Sequence, residues 1–128
     1  MMKRPNRETG AGNMSETTQD LIDDLRRRAA ERADVELKAA NGGLPKALRD
    51  TISAFANGTG GTVLLGVSDD FQPIDIDVVA IRTAAAQMVA DELEPPVRAE
   101  IEIDVIDGSH KVVRLDVPES PLAEKPCF

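Results

Sequence analysis

Apolar positions recur along this chain with two periods, and the switches between them delimit its elements. Leu21, Ile22 and Leu25 form a narrow stripe at helical spacing. Thr17 and Asp20 just ahead of it have the spacing of a capping box, so a first helix is expected to start near Thr17. Asp34 to Ala39 alternates, with Val35, Leu37 and Ala39 on one face and Glu36 and Lys38 on the other. That is the pattern of a short strand with a charged pair on its open face. Asn41-Gly42-Gly43 breaks it, and Pro45 suits the first turn of a helix carrying Leu48, Thr51, Ile52, Phe55 and Ala56. Asn57-Gly58 reads as a left-handed cap.

Thr62 to Val67 is apolar on both faces, as in a central strand, and is expected inside a sheet. Helical spacing returns in Val78, Ile81, Ala85, Met88 and Val89, predicting a third helix from about Asp77, its cap, to Leu93. Glu94-Pro95-Pro96 stops it. Strict alternation then runs from Val97 to Val105 and from Lys111 to Val117, across an Asp107-Gly108 hairpin signal. Glu100, Glu102, Asp104, Arg114 and Asp116 fall on the polar side of that alternation. The order of elements predicts an α+β fold, a mixed and largely antiparallel sheet of about four strands with three helices packed on it. Residues 1–16 are polar and aperiodic and are expected to form a disordered tail before one domain over 17–128.

Composition narrows the function. Of 128 residues, 41% are apolar but only 2% aromatic, so a base-stacking platform is nearly excluded. One Cys (Cys127) and one His (His110) leave no disulfide framework, no Cys-based zinc site and no two-histidine metal site within one chain. His110, beside the hairpin turn, is expected to be solvated. No 18-residue apolar run and no secretory stretch occur, so a cytoplasmic protein without a membrane span is expected. The net charge of −8 disfavours generic binding to polyanions. It is uneven, however: residues 1–49 carry 10 basic and 8 acidic side chains, and residues 50–128 carry 5 and 15. Contact with nucleic acid, DNA or RNA, is therefore expected in the first third, through Arg26, Arg27, Arg28, Arg32 and Lys38. The plainer reading of the three consecutive arginines is that they complement the dipole at a helix C-terminus.

Two glycine stretches invite a phosphate reading. Gly58-Thr59-Gly60-Gly61 has the wrong polarity, because it leaves a helix and enters a strand, and this disfavours ATP binding. Asn41 to Lys46 has the right polarity, and the amides of Gly42 and Gly43 with Lys46 would hold one phosphate, but the motif is short, Pro45 removes one donor, and a plain βα turn is the favoured reading. Among the carboxylates, Glu31, Glu36 and Asp69 stand out as oxygen donors for Mg²⁺ or Mn²⁺. Glu31 and Glu36, five apart, share no strand face, so Glu31 must precede the strand with the chain bent to bring it round.

Three blocks carry a resemblance. They are Val35-Glu36-Leu37-Lys38, then Thr51-Ile52-Ser53-Ala54-Phe55-Ala56-Asn57, then Gly60-Gly61-Thr62-Val63-Leu64-Leu65-Gly66-Val67-Ser68-Asp69-Asp70. With Val117-Pro118-Glu119-Ser120-Pro121 and Lys125-Pro126, this resembles the Schlafen AlbA-like domain family over roughly residues 31–128. The resemblance implies a mixed α/β domain that binds nucleic acid, often in bacterial transcriptional regulators, sometimes in proteins described as ATP-binding. It also implies an alternative, because animal relatives include divalent-metal endoribonucleases with three carboxylates. Those would map onto Glu31, Glu36 and Asp69, with Mg²⁺ or Mn²⁺ needed only in that case. Leu37 replaces the usual aromatic, and Ser68 replaces the first Asp after Gly-Val. Relatives usually continue into a further strand with a basic residue, so a shortened C-terminus is expected. A homodimer through the edge of the final hairpin is a further expectation.

Overall fold

A computed structural model describes residues 16–121. Most of the expected N-terminal tail, Lys125-Pro126 and Cys127 lie outside the described residues. The elements run α1 (Thr18–Arg28), β1 (Val35–Lys38), α2 (Leu48–Asn57), β2 (Gly61–Leu65), α3 (Val78–Asp91), β3 (Glu100–Ile106) and β4 (His110–Val117). The expected α+β architecture is the one observed. The strands form one sheet in the order β1-β2-β4-β3. β1 and β2 are parallel, joined by the α2 crossover, and the other pairs are antiparallel. β2 is interior and buried throughout, and the final two strands pair as a hairpin, as their patterns predict.

Alternation along β2 divides the core in two. Val63 and Leu65 face α2 and α3, joining Ile52, Ala56, Ala85 and Leu115 in the larger cluster. Leu64 faces the other way, joining Leu21, Ile22 and Leu25 of α1 with Val35, Ile106 and Val112. The sheet is thus covered by α1 on one face and by α2 and α3 on the other. Thr17 caps α1 by accepting from the Asp20 amide at 3.0 Å, and Asp77 caps α3 by accepting from the Ala80 amide at 3.1 Å.

Several local expectations are corrected. α2 begins at Leu48, so Pro45 sits in a turn ahead of it, and the Gly42 and Gly43 amides are not at the helix N-terminus. Its C-cap Gly58 has a φ of −95°, not a left-handed value. The left-handed residue is Gly60, at φ 88°, where a side chain would also meet the Val117 carbonyl at 2.8 Å. β3 starts at Glu100, three residues later than its alternation suggests. On β4, Arg114 and Asp116 are buried rather than solvated. The strand is central, so both its faces are covered, and the charges survive there by pairing. Arg114 Nε lies 3.0 Å from the Asp116 carboxylate, Arg114 Nη1 donates to Thr18 Oγ1 at 3.0 Å, and Thr62 Oγ1 donates to Asp116 at 2.8 Å. His110 is not free in solvent: its Nε2 lies 3.1 Å from the Gly66 carbonyl oxygen and its Nδ1 3.7 Å from Asp75.

Candidate nucleic-acid interface

The last turn of α1 reads Asp24-Leu25-Arg26-Arg27-Arg28. On a helix, residues three and four apart are neighbours, so Arg27 and Arg28 both reach back to Asp24. Their distances to its carboxylate are 2.7 Å and 3.0 Å. Ala29 then turns the chain through a left-handed conformation at φ 52°, its amide donating to the Leu25 carbonyl at 2.8 Å. The reversal brings Arg32 back beside the same carboxylate, at 3.3 Å. Arg32 also meets Asp34 at 2.8 Å and Glu16 at 3.2 Å.

Three guanidinium groups therefore share one carboxylate. Asp24 is only 14% exposed, while Arg27 and Arg28 are 70% and 59% exposed above it. Burial alone would raise the Asp24 carboxyl, but the bonds and charges of Arg28 and Arg27 outweigh it and hold it below the ordinary value. The Arg32 guanidinium is held more firmly protonated than usual, first by its bonds to Asp34 and Glu16. An arginine has five donors, and one shared carboxylate cannot fill three forks, so Arg27 and Arg28 keep N–H groups turned to solvent.

Arg26 points elsewhere. It forms a two-pronged pair with Asp107 at 2.8 and 2.9 Å, and its Nε donates to the Phe71 carbonyl at 3.0 Å. Its role in the described structure is to tie α1 to the β3–β4 turn and to the loop after β2. Lys38 lies 3.5 Å from Glu36. Lys46 is exposed in the turn before α2 and makes no ion pair among the described residues.

Beside the arginine cluster lies a recess of about 20 Å³, room for about one water molecule, between the end of α1 and β1. Glu31, Glu36 and Asp69 all border it, with Arg32, Leu37 and Phe71. Glu31 precedes β1, as its spacing requires. The three carboxylates do not converge, however. Among the described residues no group of three Asp, Glu, His or Cys side chains stands close enough to hold a metal ion. Strand alternation gives the reason: Val35 packs toward α1, whereas Glu36 and Lys38 belong to the opposite face, where they pair. These residues do not fit a divalent cation as they stand, and no reaction is derived through one.

A search of curated proteins finds no match. Among solved structures, the chain is similar to the N-terminal domain of the "Putative ATP-dependent DNA Helicase RecG-related Protein" from Nitrosomonas europaea. The similarity has a TM-score of 0.67 at 28% identity and covers 86% of this chain and 78% of that one. The model of the family described as "Schlafen, AlbA_2" matches residues 31–126, which include β1, the end of α2 and the Gly-Gly strand. On the strength of that match, which spans most of the sequence and every strand of the sheet, the chain belongs to the Schlafen AlbA_2 family.

Proposed function

We propose that this chain is a nucleic-acid-binding domain of a transcriptional regulator, and that DNA phosphates dock on the exposed edge of the Asp24-centred arginine cluster. The observation that carries the reading is the exposure there: Arg27 and Arg28, 70% and 59% exposed, stand over one shielded carboxylate, Asp24, while Asp34 and Glu16 neutralise Arg32 beneath them. A guanidinium fork matches two phosphate oxygens, so each outer arginine can take a phosphate while its inner N–H groups stay on Asp24. Arg32, Lys38 and Lys46 add charge on the same N-terminal third. Arg26 holds the helix in place. Kinship with a domain from a protein named as DNA-helicase-related supports DNA as the ligand.

The test is fluorescence anisotropy with duplex DNA and with an RNA hairpin across a salt series. For Arg27→Gln with Arg28→Gln, affinity should fall and the slope of log K against log salt should flatten by about 2, roughly one unit per lost contact. Unchanged affinity and slope in that variant, together with loss of binding on substitution within residues 97–117, would overturn the assignment.

A further inference from the structure

The two ends of the sheet are not alike. β1, at one end, is four residues long. β3, at the other end, is seven residues long and, among the described residues, pairs with β4 alone. No described segment pairs with its outer side, where an edge strand offers unpaired amides and carbonyls as a template for another chain. The Asp104 carboxylate folds onto the backbone there, accepting from the Val105 amide at 3.1 Å.

The side chains of β3 sort by charge. Ile101, Ile103 and Val105 lie on the α3 face, and Ile103 and Val105 remain 36% and 45% exposed, where α3 does not cover them. Beside Ile101 a groove of about 590 Å³ runs between β3 and α3, lined by Arg82, Thr83, Ala86, Gln87, Ala99 and Ile101. On the α1 face, Glu100, Glu102 and Asp104 line a second groove of about 370 Å³ with Glu16, Asp116 and Arg114. Among the described residues the strand is therefore an open edge with exposed apolar side chains, Ile103 and Val105, on one face and an acidic groove on the other.

We infer that β3 is the docking edge for an extended segment of a partner protein that alternates basic and apolar side chains and adds to the sheet as a fifth strand. Period two puts the partner's apolar side chains beside Ile101, Ile103 and Val105, and its lysines or arginines beside Glu100, Glu102 and Asp104. The charges decide between occupants. A second copy paired antiparallel about Ile103 would place Glu102 across from Asp104 of its neighbour, like against like. A nucleic acid would bring phosphate to the same carboxylates. Only a strand alternating basic and apolar side chains meets both the acidic groove and the exposed Ile103 and Val105 with complementary chemistry.

The probe is an eight-residue fluorescein-labelled peptide alternating lysine and valine, compared with its glutamate–valine counterpart. Hydrogen exchange of the wild-type chain, with and without each peptide, is the second measurement. The basic peptide should bind at least tenfold more tightly than the acidic one and slow exchange at amides 100–106 while leaving 35–38 unchanged. Glu100→Lys with Glu102→Lys should weaken binding at least tenfold. Equal binding of both peptides, slowing confined to other strands, or full affinity in the double variant would each overturn the inference. So would a concentration-dependent dimer that shields the same amides without peptide, or protection of those amides by single-stranded DNA.

Discussion

On one side of the sheet, α2 and α3 are held by apolar contact: Leu48, Ile52 and Ala56 from one helix and Ile81, Ala85, Met88 and Val89 from the other. On the other side, α1 contributes only Leu21, Ile22 and Leu25 to the apolar contact. Charge does the rest. At its N-terminal end Thr18 stands over the Arg114–Asp116 pair and donates to Asp104 at 2.5 Å, and at its C-terminal end Arg26 grips Asp107 and the Phe71 carbonyl. The larger face thus gains from area, which is tolerant of small geometric change. The smaller face depends on polar partners that must be placed correctly, because a buried charge that loses its partner is costly. A short helix covering little area can still be oriented firmly if polar ties fix both ends.

The sharpest way to break this contrast is to remove half of the buried pair. Asp116→Ala leaves Arg114 buried without its carboxylate and should cost about 3–5 kcal/mol, whereas joint replacement of Arg114 by Met and Asp116 by Leu should be near neutral. Urea denaturation of both variants separates these outcomes, and equal losses would mean that the pair contributes no more than its volume. On the apolar side, Ile52→Ala should cost about 2–5 kcal/mol, with no change in the pH dependence of stability.

A smaller effect comes from the exposed end of α1. The bond from Arg26 is the main reason the Asp107 carboxyl is pulled down to about 2. A depressed carboxyl stabilises the fold above its unfolded value of about 4 and loses that contribution as pH falls through about 2. The pair is about a third exposed, so solvent screening limits its worth to about 1 kcal/mol or less. Asp107→Asn should therefore lose up to about 1 kcal/mol at neutral pH, and its stability should fall less steeply than wild type between about pH 4 and 2. Smallest of all, Arg27→Gln should leave the melting temperature unaltered while weakening DNA binding. A shift in melting without a change in binding would reverse the roles given to Arg26 and Arg27.

Much of this architecture is legible in the chain because its elements follow simple periods. Leu64 and its neighbours read as interior because both faces of the strand are apolar, and the caps Thr17 and Asp77 sit where their side chains meet the orphan amides. What periodicity does not carry is strand order. Arg114 and Asp116 alternate as surface residues would, yet β4 lies between β2 and β3 and both its faces are covered. The converse holds on β3: Ile103 and Val105 alternate as core residues would, yet sit at an edge beyond α3. The same limit applies to the candidate site. Spacing brings Glu31, Glu36 and Asp69 around one recess, but the pleat of a four-residue edge strand turns Glu36 away toward Lys38. The sharing of Asp24 by Arg32 required the left-handed turn at Ala29, for which alanine gives no sequence signal.

The ties at both ends of α1 also have a consequence in time. Thr18 is 86 residues from Asp104, Arg26 is 81 from Asp107, and the Glu16 carbonyl that accepts from Arg114 is 98 away. A ribosome makes α1 well before the hairpin, at about 5–20 residues per second, so several seconds pass before β3 and β4 exist to receive it. Throughout that interval Leu21, Ile22 and Leu25 have only Val35, Leu64 and Val67 to pack against, without Ile106 and Val112, and a helix this short is marginal alone. A helix made before its strands thus waits for its polar partners, and the sheet face beneath it closes only when the hairpin is complete.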